Sequence, residues 1–82
     1  MLVLEKEINM ITTKRLPNGN YLLLSNGKEV GSVLTGKGWF GLELKGIYWL
    51  SDGRPSDIGG APIKTFRTIK DAVKYANEII NV

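Results

Sequence analysis

The C-terminal part of the chain carries apolar residues at the spacing of one helical face, and this pattern restricts the fold more than any other feature. The apolar positions recur at intervals of three and four residues: Ile69, Ala72, Val73, Ala76, Ile79 and Ile80. Thr68 stands directly before them with Asp71 three residues later, a conservative variant of the capping box. The pattern predicts an amphipathic helix whose apolar stripe must be buried against another part of the chain.

The upstream sequence is typical of strands joined by tight turns. Asn18-Gly19 and Asn26-Gly27 are each flanked by strand-forming residues, which is the strongest short-range indication of a hairpin. The glycines at 36 and 38 predict a third tight turn. The predicted strands span residues 8–16, 21–25, 29–34 and 39–45, with a further short run at 47–50. Consecutive strands connected in this way form an antiparallel meander.

Together these elements predict one α+β domain over residues 1–82, with an antiparallel sheet of three to five strands and the C-terminal helix packed on one face. The first strand is the ambiguous element. Leu4, Ile8 and Ile11 would also line one face of a helix, whereas the β-branched residues between 8 and 13 favour a strand. We prefer the strand, with residues 1–7 loose ahead of it.

The segment 66–76 resembles the C-terminal end of many small sheet-plus-helix proteins, several of them encoded by phages and mobile elements. The resemblance covers about a dozen residues and follows largely from helix-forming chemistry. It implies an architecture and identifies no family.

Two-residue turns fix strand register, so the side chains can be assigned to faces. A turn at Asn26-Gly27 pairs Leu24 with Glu29, and a turn at Gly36-Lys37 pairs Leu34 with Trp39. One face then collects Leu22, Leu24, Val33, Phe40, Leu42 and Leu44. The other face collects Tyr21, Leu23, Lys28, Val30, Ser32, Leu34, Trp39, Glu43 and Lys45. The first face is the more apolar, and we predict that it forms the core under the helix.

The composition excludes several classes of function. The chain has no cysteine and no histidine, so it lacks thiolates and imidazoles, the commonest metal ligands and general bases. We therefore expect a protein that is not an enzyme and uses neither a cofactor nor a metal. The apolar run at residues 1–4 is too short for a signal peptide or a membrane span, which favours a cytoplasmic protein without membrane contact.

The second sheet face is the predicted binding surface. The formal charge of +3, from eleven lysines and arginines against eight aspartates and glutamates, suits an anionic partner. Aromatic rings surrounded by cations bind single-stranded nucleic acid, because bases stack on the rings and phosphates pair with the cations. The predicted nucleic-acid-binding residues are Tyr21, Lys28, Trp39, Lys45 and Arg54.

A protein interface is the alternative for the same face. Leu23, Val30 and Leu34 share it in the predicted register, and exposed apolar patches of this kind commonly bind other proteins. In this interpretation the chain is an interaction module, for example a phage-type inhibitor or adaptor of a host protein, and it dimerises through the exposed face.

Residues 51–64 have three glycines, two prolines and no periodicity, which predicts a long loop. The simplest interpretation is a connection that tucks Ile58 and Ile63 under the helix. The glycines match neither nucleotide-binding pattern, and Asp52 and Asp57 are typical turn-forming residues. A catalytic pocket around Asp52, Arg54 and Asp57 is the least favoured hypothesis.

Overall fold

Strands and turns precede a single helix along the part of the chain that the computed structural model describes, residues 10–80. The strands are β1 (Ile11–Arg15), β2 (Tyr21–Ser25), β3 (Lys28–Gly36), β4 (Trp39–Leu44), β5 (Tyr48–Trp49), β6 (Pro55–Ser56) and β7 (Lys64–Phe66), and the helix is α1 (Ile69–Ile80). The predicted loose segment 1–7 and the predicted start of the first strand at Ile8 lie outside the described residues.

The main sheet has five antiparallel strands in the order β1-β2-β3-β4-β7. Helix α1 packs on one face of this sheet, against β4, β7 and β1. The predicted α+β architecture is thereby confirmed. Strands β5 and β6 form a separate two-stranded ribbon.

The turn between β2 and β3 has the geometry that its sequence predicts. Asn26 has φ 55° and Gly27 has φ 79°, so both central residues adopt the positive φ of the hairpin turn that Asn-Gly favours. The pairing of Leu24 with Glu29 is also as predicted.

A β-bulge next to this turn reverses the predicted faces of β2. Leu24 pairs with Glu29 but Leu23 pairs with Gly31, so Val30 is an extra residue on β3. The insertion moves Leu23 to the face that α1 covers, where it is 0% exposed, and moves Leu22 and Leu24 to the opposite face. The sequence assignment, which placed Leu22 and Leu24 in the core, assumed an uninterrupted ladder and was wrong for this strand.

The turn between β3 and β4 is displaced by one residue from its predicted position. Lys37 and Gly38 form the turn, so Trp39 pairs with Gly36 and not with Leu34. Gly38 has φ 80°, a value that favours glycine. The observed pairing differs from the predicted pairing by two residues. Because side chains alternate with a period of two, each residue keeps its predicted face. Val33, Leu42 and Leu44 lie in the core as predicted.

The predicted loop 51–64 contains β6 and ends where the fifth strand of the sheet, β7, begins at Lys64. Strand β7 pairs with β4, placing Phe66 opposite Phe40. Trp49 of the ribbon exchanges backbone hydrogen bonds of 2.8 Å in both directions with Ala61, which ties the loop to β5. Ile58 is 92% exposed, so the prediction that it tucks under the helix was wrong.

The core lies between the sheet and α1. The buried apolar residues are Ile11, Leu23, Val33, Leu42, Leu44, Trp49, Ala72 and Ala76. The two alanines have side chains short enough for the helix backbone to approach the sheet closely. The predicted cap is present, since the Asp71 amide donates to Thr68 Oγ1 at 3.0 Å.

Phe66 of β7 packs against Tyr75 in the middle of the helix. Its ring centroid lies 5.5 Å from that of Tyr75, whose ring also stands 5.8 Å from the indole of buried Trp49. Such tilted pairs stabilise aromatic cores beyond the area they bury.

Candidate functional site

The face of the sheet that α1 does not cover is the candidate site, and we call it the open face. Side chains alternate along each strand, so the register identifies those that point away from the helix. Its principal residues are Lys14, Leu22, Leu24, Glu29, Ser32, Leu34, Trp39 and Glu43.

Trp39 forms the centre of an apolar patch on the open face. Two glycines leave space for its indole: a methyl group on Gly36 would clash with the ring, and one on Gly41 would stand 3.0 Å from Cζ3. The same methyl group on Gly41 would stand 3.1 Å from Ile63 Cδ1, which places Ile63 beside the indole. The Trp39 side chain nevertheless remains 39% exposed.

Leucines extend this patch across the sheet. Leu22, Leu24 and Leu34 are each partly exposed, and they occupy neighbouring strands β2 and β3. No element of residues 10–80 packs on them, because α1 lies on the other face. An apolar surface of this extent on a small domain is typical of a binding site.

Charged residues of both signs border the patch. One row across the sheet runs Lys14, Leu22, Ser32 and Glu43, in which the Ser32 hydroxyl donates to Glu43 Oε1 at 3.3 Å. At one end of the face Lys45 Nζ lies 3.8 Å from Glu29 Oε1, in an exposed ion pair. Arg67 lines a cavity with Trp39 and Thr65 at the other end, so among residues 10–80 the open face carries three cations and two anions.

The structure does not bring the five predicted nucleic-acid-binding residues together. Tyr21 lies on the helix side of the sheet, with the Arg15 guanidinium 6.0 Å from its ring centroid, while Trp39 lies on the open face. Lys28 is at the start of β3 beside the hairpin turn, and Lys45 pairs with Glu29. Arg54 is in the ribbon turn, where its Nε donates to Asp52 Oδ2 at 2.8 Å.

The loop residues considered for catalysis form a turn. The Arg54 amide donates to Asp52 Oδ1 at 3.0 Å, the short-range bond of an aspartate that stabilises a turn. Within residues 10–80 there is no group of three or more residues of the metal-ligating types. In that same part of the chain, no helix is long and apolar enough to cross a membrane.

Sequence reasoning missed three contributors to the open face. Leu22 and Leu24 were assigned to the core, and Ile63 to the space under the helix. Two glycines close to Trp39 in the chain gave an indication of its position. Gly36 is the last residue of β3, and Gly41 lies two residues after Trp39 in β4. Glycine inside a strand often marks the close approach of another group.

The class that the fold and the site define is a small α+β domain with one sheet face covered by a helix and the other open. Comparison with protein-family models, with curated protein sequences and with solved structures finds no match to this chain. The function must therefore be argued from the open face itself.

Proposed function

We propose that the protein is a non-enzymatic protein-interaction module that dimerises by packing its open face against the open face of a second copy. The observation that carries this proposal is the apolar patch around Trp39, Leu34 and Leu22, which no part of residues 10–80 covers. Burial of such surface is the main favourable contribution to association between proteins.

The arrangement of charge favours a second copy as the occupant. Lys14 stands at one end of its row across the sheet and Glu43 at the other. A two-fold axis parallel to the strands places Lys14 of one copy opposite Glu43 of the other, twice per dimer. Because charges of both signs are interspersed on the face, its net charge is small, and two copies approach with little long-range repulsion.

The size of the face sets the expected affinity. Five strands about 4.8 Å apart, each of about five residues at about 3.3 Å, give a face of about 24 by 17 Å. Two such faces bury roughly 800 Å² in this flat approximation, which is below the usual range for stable complexes. We therefore expect a dimer that dissociates at micromolar concentration and packs as two aligned sheets.

The arrangement of residues in the structure supports nucleic-acid binding less than the sequence alone does. The predicted aromatic platform required Tyr21 and Trp39 on one face, and the two residues lie on opposite faces. Lys45 and Arg54 each have an acidic partner, which reduces the charge available to phosphates.

Sedimentation velocity over a concentration series tests the proposal, with Trp39→Ala compared against Ile58→Ala. Ile58 is also an exposed apolar side chain, 92% exposed against 39% for Trp39, but it lies in the loop that follows the ribbon. We expect Trp39→Ala to weaken the dimer at least tenfold and Ile58→Ala to leave it unchanged. A monomer at every concentration contradicts the proposal. Quenching of Trp fluorescence by a single-stranded oligonucleotide, relieved by salt, would favour the nucleic-acid hypothesis instead.

A further inference from the structure

A groove lies between the outer edge of β1 and helix α1, on the opposite side of the sheet from the open face, and we call it the edge groove. Its volume is about 770 Å³. Apolar side chains of Ile11, Ile69 and Val73 line it, together with Lys70 and Lys74.

Strand β1 is an outer strand of the sheet that residues 10–80 form, and within that range part of its backbone has no hydrogen-bond partner. The Leu16 amide points inward and donates to Asn20 O at 2.8 Å, whereas the Ile11 amide points outward and donates to Asn77 Oδ1 at 2.9 Å. Because amide direction alternates along a strand, the amides of Thr13 and Arg15 also point outward. No residue in the range 10–80 accepts a hydrogen bond from either amide.

Asn77 accepts a hydrogen bond from the outward-pointing edge of β1. Its side-chain oxygen takes the place that a backbone carbonyl of an added strand would take opposite Ile11. The next two outward amides continue the same line at intervals of about 6.6 Å. An extended segment beside β1 would bond to them and place alternate side chains against Ile69 and Val73.

The charges around the groove select an acidic segment. Lys70 and Lys74 lie one turn apart on α1, both are exposed, and neither forms an ion pair within residues 10–80. Among residues 10–80, Glu78 is the single acid that lines the groove. A second copy that added its own β1 antiparallel, in one continuous sheet, would bring its Arg15, which lies on the helix side, to the same side as these lysines, and this repulsion disfavours pairing between copies.

We propose that the edge groove binds an extended segment of a partner protein, with acidic residues flanking apolar ones, by adding it as a strand to β1. Backbone hydrogen bonds to Thr13 and Arg15 would supply much of the affinity, and the groove would supply the preference for side chains. This site is separate from the open face and does not depend on dimerisation.

Amide hydrogen exchange of the full chain, followed by NMR, tests the proposal with two synthetic peptides of seven residues. One peptide, Glu-Thr-Val-Thr-Val-Thr-Glu (the Val/Glu peptide), places its Val and Glu side chains on the same side of an extended chain, and the control replaces both Glu residues with Lys (the Val/Lys peptide). We expect the Val/Glu peptide to slow the exchange of the Thr13 and Arg15 amides at least tenfold, and the Val/Lys peptide to have no effect. The Lys14 amide, which points toward β2, serves as the internal control.

Two sets of variants identify the binding mode. Thr13→Pro removes one outward amide without removing a bond to β2, a position at which an edge strand tolerates proline. The matched control Thr13→Val retains that amide. We expect Thr13→Pro to raise the Kd at least tenfold and Thr13→Val to leave it unchanged. The pair Lys70→Glu and Lys74→Glu, both at exposed positions, should reverse the preference between the two peptides.

Three results would overturn the proposal. The first is binding that Thr13→Pro does not weaken. The second is the absence of binding by the Val/Glu peptide. The third is slow exchange of the Thr13 and Arg15 amides in the free chain, since another part of the chain or a second copy would then already fill the edge.

Discussion

The indole of Trp39 lies against Gly36, its partner across the β3–β4 ladder, so closely that no other residue could replace the glycine without moving the ring. The contact holds the largest side chain of the open face over the backbone. Gly41 provides the space on the other side of the indole. The apolar patch thus depends on two glycines that make no contact with a partner themselves.

We expect Gly36→Ala to displace Trp39 while leaving the domain folded. The methyl group meets only indole atoms, which can rotate away, so we expect a loss of less than about 1 kcal/mol in the free energy of unfolding. The dimer should weaken at least tenfold, and Trp emission should shift to longer wavelength. Chemical denaturation and sedimentation measure the two effects.

Gly31→Ala is the matched control for that substitution. Here the added methyl group meets the backbone carbonyl of Glu43, which cannot move without breaking the ladder. We expect a loss of about 3 kcal/mol in the free energy of unfolding. Equal losses for Gly31→Ala and Gly36→Ala would contradict the described position of Trp39.

The bulge at Val30 is tested by comparing two neighbouring leucines. Leu23 is completely buried, whereas Leu24 is partly exposed on the open face. We expect Leu23→Ala to lower the free energy of unfolding by about 3 kcal/mol and Leu24→Ala by less than about 1 kcal/mol. Denaturant titration measures both losses. A larger loss for Leu24→Ala than for Leu23→Ala would indicate that β2 and β3 pair without a bulge.

The sequence predicts the helix and most strands of this fold correctly. It assigns the side chains of β2 to the wrong faces, because it does not predict the bulge in β3. The helix and the Asn26-Gly27 turn follow from local chemistry: the apolar stripe, the Thr68 cap and the positive φ that Asn-Gly accepts. The bulge has no comparable local requirement, because Val30 is as compatible with a regular strand as with a bulge. It is stabilised by the packing of Leu23 under the helix, which appears only in three dimensions.

The bulge also limits how well the sequence predicts the residues of the candidate site. Trp39 was placed correctly on the exposed face, because the displaced turn of β3 and β4 preserved the alternation. Tyr21 was placed wrongly, since the bulge reverses all of β2. Strand β7 was missed because three residues are too few to show a period of two.

Asn77 fastens the edge strand to the helix, and its removal should loosen β1. Asn77→Ala deprives the Ile11 amide of its acceptor, and we expect a loss of about 1 kcal/mol in the free energy of unfolding. Exchange of the Ile11 amide should accelerate more than that of amides in β3. Glu78→Ala, the next residue and exposed, is the control and should change neither quantity. Similar effects of both substitutions would mean that helix propensity, and not this bond, is responsible.

Exchange of charge between Lys14 and Glu43 tests the symmetry of the dimer directly. Within one copy the two residues are separated by β2 and β3, about 14 Å at the usual strand spacing, so they have no close contact in the monomer. In the proposed dimer each Lys14 faces Glu43 of the other copy. Exposed pairs contribute up to about 1 kcal/mol each, and the two-fold axis creates two of them.

We therefore expect Lys14→Glu alone, or Glu43→Lys alone, to weaken the dimer about tenfold, because each places like charges opposite one another twice. The double variant restores opposite charges and should recover most of the affinity, which a concentration series in sedimentation will show. The affinity that the double variant recovers over the single variants should be smaller at high salt, because salt screens exposed charges. Losses that simply add in the double variant would show that the two residues do not meet, and would exclude this two-fold arrangement.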